Sequence, residues 1–248
     1  MITAQHSSVW KKILGWYFFR RLKKAFFRGY IRGENNVHSA MEEQKNQRIP
    51  IVFYCTHFSW WDAIITIVLS LKIFRLHAIG MMEERQLKRY GFFRKIGMFS
   101  VQGDNPLSSL RSLQYASEEL QKNAHALWMF PQGTLRNQEL MPLDLQPGLS
   151  ILLKKSKKLL LVPITMQYYF LREEQPECFI SIGTGTIMEW SKSTKLTEIT
   201  ERLEEILSTE NALLKETILK QQYSDFSVLF QGKMSIEKKY DQMRGIKQ

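Results

Sequence analysis

The first 33 residues of this 248-residue chain contain no aspartate or glutamate, and the whole chain has two cysteines. Cys55 and Cys178 cannot form a disulfide scaffold and have no zinc-ligand spacing, which accords with a reducing compartment. Long apolar runs are missing as well. AIITIVLSL, residues 63–71, is about half of the ~20 residues a membrane-spanning helix requires. Any membrane contact is therefore expected to be peripheral. The opening MITAQHSSVWKK lacks the order of charge, apolar core and cleavage site of a secretory leader. No serine sits in a G-x-S-x-G elbow; PGLSI, residues 147–151, does not fit the pattern. Internal repeats and low-complexity linkers are also lacking.

What is present begins with charge. Lys and Arg number 35 against 24 Asp and Glu, a net of +11. That excess calls for an anionic partner such as a membrane surface, a nucleic acid or an acidic substrate. Hydrophobic residues make up 44% of the chain, enough to bury a core. The cations concentrate at the start: Lys11, Lys12, Arg20, Arg21, Lys23, Lys24, Arg28 and Arg32. Trp10, Ile13, Leu14, Tyr17 and Phe18 share one face of a helix, and Leu22, Ala25 and Phe26 continue it. Aromatic residues flanked by cations suit the headgroup zone of an anionic membrane. The plainer alternative is a helix docked on the domain with its cations solvated. Aromatics with cations also stack nucleic-acid bases, but no DNA- or RNA-binding motif accompanies them, and nucleic acid is not expected as a partner.

From residue 49 onward, short apolar runs alternate with amphipathic stretches. IPIVFYC (49–55), RLHAIGM (75–81), MFSVQ (98–102), HALWMF (125–130), LLLVPITMQYYF (159–170) and CFISIGTGTI (178–187) read as strands. DAIITIVLSL (62–71), PLSSLRSLQYASEELQKN (106–123), GLSILLKKS (148–156) and a long segment from Leu196 to Tyr223 read as helices. The alternation predicts an α/β fold, a largely parallel central sheet flanked by helices. Residues 1–48 are expected to be an amphipathic helical segment and 49–248 the main domain.

Candidate chemistry begins at FYCTHFSWWDA, residues 53–63. His57 follows a strand, and Ser59-x-x-Asp62 is a capping-box pattern. Asp62 therefore has a structural role available at the helix N-terminus, and His57 one as a strand-end histidine bonded to a carbonyl. The other reading is a working pair. A strand-to-helix loop at the C-terminal edge of a parallel sheet is where α/β folds place sites. A first-turn carboxylate can hold one imidazole nitrogen protonated and leave the other to accept a proton. Cys55, two residues away, is either a thiol nucleophile or a buried strand cysteine. Downstream, LWMFPQGTLRNQELMP, residues 127–142, ends a strand and turns at Gly133, with the Thr134 hydroxyl beside it. An ordinary Pro-Gly turn fits the same residues.

His57-x4-Asp62, then Phe130-Pro-Gln-Gly-Thr134, then Val162-Pro163-Ile164, in that order across residues 50–166, resembles the glycerolipid and lysophospholipid (1-acylglycerol-3-phosphate) acyltransferase family. The resemblance implies that His57 and Asp62 are the catalytic pair and that Gln132, Gly133, Thr134 and Arg136 contact the acceptor. It implies transfer of a fatty acyl group from acyl-CoA or acyl carrier protein to a lipid hydroxyl, without a covalent enzyme intermediate, metal or cofactor. It also implies an N-terminal helical element docked on the membrane, peripheral and on the cytoplasmic face. The departures concern cations. Gly103 stands where the family's second block ends in arginine. Gln132 replaces the glutamate of Phe-Pro-Glu-Gly-Thr-Arg-Ser. Leu135 precedes a displaced Arg136, and Gln146-Pro147 precede Gly148 where the family often has Lys or Arg. Those cations are associated with the acceptor's phosphate, and losing one from a bidentate site is not neutral; Arg111, Arg136 and Lys154 are candidates to compensate. The expected acceptor is therefore a less charged lipid than lysophosphatidate, such as a glycolipid or a glycosylated carotenoid. A non-catalytic membrane-binding protein and a thioesterase-type hydrolase are the alternatives.

Overall fold

The computed structural model describes residues 1–123, 126–156, 158–191 and 193–233, with Tyr240 and Arg244. Its elements run α1 (Ser8–Ala25), β1 (Arg28–Arg32), α2 (Glu34–Gln47), β2 (Ile51–Cys55), α3 (Trp60–Val68), β3 (Ala78–Glu83), α4 (Glu84–Arg89), β4 (Met98–Val101), α5 (Pro106–Asn123), β5 (Ala126–Met129), α6 (Gly148–Lys155), β6 (Leu160–Tyr169), β7 (Glu177–Ile182), β8 (Thr186–Ile187), α7 (Leu196–Leu219) and β9 (Ser227–Gln231). His125, read at the start of the fifth strand, lies outside the described residues.

One sheet carries the order β4-β3-β5-β2-β6-β7-β1-β9, with β8 against the start of β6. The first five strands of that order are mutually parallel. β7 runs antiparallel to β6, β1 parallel to β7, and β9 antiparallel to β1. The sheet is thus mixed and mostly parallel, flanked by helices, as the alternating pattern implies. β2 alternates sides. Ile51, Phe53 and Cys55 pack with α1, α2 and α3, whereas Val52 and Tyr54 pack with α5, α6 and α7. Every β2 residue is buried, which is why the run reads as continuously apolar rather than alternating.

The chain leaves β2 toward the first of these layers, through α3, and leaves β5 toward the second, through α6. β2 and β5 are neighbours, paired from Ile51–Ala126 to Tyr54–Met129. Their outgoing segments therefore leave toward opposite layers at the C-terminal edge, the topological switch point at which open α/β sheets form a ligand crevice.

The N-terminal segment differs from expectation. Helix α1 ends at Ala25, and Arg28–Arg32 forms β1 inside the sheet, in register with β7 from Arg28–Glu177 to Arg32–Ser181. Residues 1–48 are consequently not a purely helical appendage. Tyr30 and Ile31 favour a strand, and both partner strands lie far away in sequence, so no local signal announces the pairing. Helix α1 buries Leu14, Phe18 and Leu22 and turns Val9, Ile13, Trp16 and Tyr17 outward. At about 1.5–3 kcal/mol for each fully buried side chain, the inner stripe holds the helix against α3.

Replacing Leu22 by alanine is expected to cost about 2–5 kcal/mol in urea unfolding, the range for a fully buried leucine. Trp16→Ala, on the outer face, is expected to stay within about 0.5 kcal/mol of wild type.

Candidate active site

The crevice is floored by the loop after β2. Ser59 is the N-cap of α3: its hydroxyl accepts from the Trp61 N–H at 3.2 Å, and its own N–H donates to Asp62 at 2.8 Å, closing a capping box. The carboxylate that completes the cap also faces His57. Nδ1 of His57 lies 3.2 Å from Asp62 Oδ2, with the two side chains 19% and 0% exposed. The same Oδ2 accepts the Phe58 N–H at 2.6 Å, and Oδ1 accepts the Tyr168 hydroxyl. Three protein donors aimed at Asp62 mark it as a carboxylate rather than a carboxylic acid. Nδ1 must then carry the imidazole proton and donate it to Oδ2. Nε2 is left as the acceptor; the ring's one hydrogen bond to a side chain among the described residues is through Nδ1. Below the ring, Phe130 stacks on the imidazole with centroids 4.3 Å apart. Capping and orientation of the histidine are therefore one arrangement, not rival roles.

The segment between β5 and α6, residues 130–147, forms the opposite wall. Its turn uses a left-handed Gly133 (φ 72°), whose N–H donates to the Phe130 carbonyl at 3.0 Å. Gln132 is buried. Its Oε1 accepts the His57 N–H at 2.5 Å, and its Nε2 donates to the Leu143 carbonyl at 3.1 Å. Arg136 donates its backbone N–H to the His57 carbonyl at 2.9 Å while its guanidinium pairs with Asp144. Thr134 and Leu135 are exposed on the turn. Gln138 clips this segment to β6, donating to the Tyr168 carbonyl and accepting the Tyr168 N–H, both at 3.1 Å.

His57, Asp62, Gln132, Gly133, Thr134 and Arg136 thus come together, with the hydrogen bonds of Gln132 directed at backbone. Tyr168 and Phe130 join the site without having been singled out in the sequence. Tyr168 lies 106 residues from Asp62, and only the pairing of β2 with β6 brings the two together. Phe130 belongs to a motif whose neighbours drew attention through their polarity. Cys55 is fully buried in the layer with α3, and burial together with the nearby Asp62 pushes its thiol well above the ordinary range. A thiolate nucleophile is unavailable there. Cys178 is equally buried, its thiol raised chiefly by desolvation. Of the compensating cations, Lys154 sits near the end of α6, away from the crevice, and donates to the Ser191 carbonyl at 3.0 Å. Arg111 is exposed on α5. Among the described residues no group of three or more His, Cys, Asp or Glu side chains is placed to hold a metal ion.

Residues 31–167 match the family model described as Acyltransferase. No curated protein matches the chain. Among solved structures, it is similar to the 1-acyl-sn-glycerophosphate (LPA) acyltransferase PlsC from Thermotoga maritima, with a TM-score of 0.50 and 16% identity over 79% of each chain. A likeness at that identity is one of fold.

Replacing Gln132 by methionine removes two hydrogen bonds and leaves a buried N–H and carbonyl without their partner. The expected loss is about 2–4 kcal/mol of stability, read from the urea midpoint.

Proposed function

Because the chain belongs to the acyltransferase family, we propose that it moves a fatty acyl group from acyl-CoA or acyl carrier protein to a hydroxyl of a lipid acceptor. The observation that carries this reading is the 3.2 Å contact between His57 Nδ1 and Asp62, which leaves Nε2 as the acceptor on the ring. Nε2 takes the proton from the acceptor hydroxyl as its oxygen attacks the thioester carbonyl. The imidazolium that forms is stabilised by Asp62. The leaving thiolate then recovers the proton, returning the ring to its starting tautomer. A positioned base of this kind contributes roughly 10²–10⁴-fold. Gly133, Thr134 and Arg136 line the acceptor side, and Gln132 acts there by holding the His57 backbone.

The acceptor is a less charged lipid than lysophosphatidate, in the class of glycolipids or glycosylated carotenoids. A phosphate requires charge-assisted donors. At the turn over His57, Gln132 and Leu135 are neutral, and the Arg136 guanidinium is already paired with Asp144. Gly103 and Gln146 add no cation.

Access to such a lipid comes from peripheral attachment to the cytoplasmic face of an anionic membrane. No helix of the described residues is long and apolar enough to cross one. The outward face of α1 sets Val9, Ile13, Trp16 and Tyr17 among exposed Lys12, Arg20 and Lys24, with the Arg20 guanidinium 4.9 Å from the Trp16 ring. Apolar side chains are also exposed close in sequence to the site residues. Trp60 is 57% exposed two residues before Asp62, and Phe170 is 74% exposed two residues after Tyr168. Leu140 and Met141, in the segment that Gln138 clips to β6, are exposed too.

His57→Ala is expected to lower acyl transfer by at least about 10²-fold in a variant that still folds; full activity in the folded variant would overturn the mechanism. Given labelled acyl-CoA, the purified protein is expected to acylate a neutral glycolipid in preference to lysophosphatidate, with the product identified by mass. Efficient turnover of lysophosphatidate alone would remove the acceptor reading.

A further inference from the structure

The Asp62 carboxylate receives more support than a helix cap requires. Oδ2 alone serves the cap and the histidine, accepting from Phe58, Ser59 and His57. Oδ1 is inside the protein as well, since Asp62 has no exposed surface, and the hydroxyl of Tyr168 meets it there. Tyr168 stands near the end of β6, the strand beside β2, and is held by two independent contacts. Gln138 brackets its backbone, and its ring packs on Phe26 with centroids 5.7 Å apart. Burial, reinforced by the charge of Asp62, raises the phenol well above its ordinary range, so the hydroxyl keeps its proton and can only donate to the carboxylate.

We propose that Tyr168 is a positioning residue for the His57–Asp62 pair, donating to Oδ1 so that Oδ2 stays aimed at Nδ1 and part of the carboxylate charge is drawn away from the imidazole. The proposal rests on the reading of His57 as the general base. Its consequence follows from charge counting. The pair is anionic when the imidazole is neutral and uncharged overall once a proton is added, wherever that proton resides. A donor at Oδ1 stabilises the anionic state more than the protonated one, so it lowers the affinity of the pair for a proton. Without Tyr168 the pair holds a proton to higher pH, and the fraction with a free Nε2 near neutrality falls. A purely structural tyrosine would leave that balance alone.

Tyr168→Phe keeps the ring on Phe26 and removes only the hydroxyl. With acyl-CoA and an accepted lipid hydroxyl, the variant is expected to lose about tenfold in kcat at pH 7. Its KM values should stay within about twofold, and the acid limb of its kcat/KM profile should move up by about one pH unit, the scale of one hydrogen bond to a charged group. In a double-mutant cycle with Asp62→Asn, the loss from Tyr168→Phe should vanish, because the carboxylate charge it acts on is gone. An acid limb at the wild-type position, or losses that multiply in the double variant, would overturn the proposal, as would a fall in melting temperature with unchanged kinetics. A second readout does not depend on turnover. The ¹⁵N resonances of the His57 ring, assigned by comparison with His57→Ala, should titrate at higher pH in Tyr168→Phe than in wild type. Should the wild-type protein transfer no acyl group, the proposed function fails while this titration still decides the role of Tyr168; an unmoved midpoint rejects it.

Discussion

A carboxylate sealed from solvent is tolerable only where its charge is met by donors, and Asp62 satisfies that condition four times over. Its partners come from two places: the loop after β2, which ends in the N-cap Ser59, and the end of β6. The same side chain therefore starts a helix, shapes the loop before it, orients the His57 ring and ties two neighbouring strands at their C-terminal ends. An uncompensated buried carboxylate costs several kcal/mol, so loss of any one donor weakens the others' setting as well. That Nε2 of His57 is left as the acceptor is a by-product of that same demand for donors.

The second wall of the crevice has no regular secondary structure from Phe130 to Pro147, yet it is fixed in place. Two glutamines do much of this. Gln132 spans from the His57 N–H to the Leu143 carbonyl, and Gln138 pairs with both backbone groups of Tyr168 as another strand would. Arg136 adds a backbone bond to the His57 carbonyl. An irregular segment held through side-chain amides lets the apolar residues between the clips, Leu135, Leu140 and Met141, remain at the surface without unravelling the turn.

The parallel half of the sheet was legible because its central strands are buried on both faces and read as unbroken apolar runs, as in IVFYC and LLLVPI. The antiparallel half was less so. β1 is five residues of mixed character, RGYIR, and is a strand only because β7 and β9 flank it from more than a hundred residues away. In the site, the five-residue spacing of His57 and Asp62 made their pairing readable, since a helix start fixes the geometry of its first turn. The atoms that Gln132 bonds could not be read in this way. A motif position names a residue but not the direction of its amide. Tyr168 was invisible for a further reason: two successive tyrosines at a strand end look like any pair on opposite faces, and only the neighbouring strand decides which one meets the carboxylate.

Burial of both native thiols has a practical corollary. Cys55 and Cys178 are the only cysteines in the chain, neither has exposed surface, and both are held in the protonated form by desolvation. Alkylating probes find little to attack in the folded protein. A single cysteine engineered at a surface position such as Phe170 or Trp16 would therefore accept a spectroscopic label selectively, without first stripping the natural sulfhydryls from the interior.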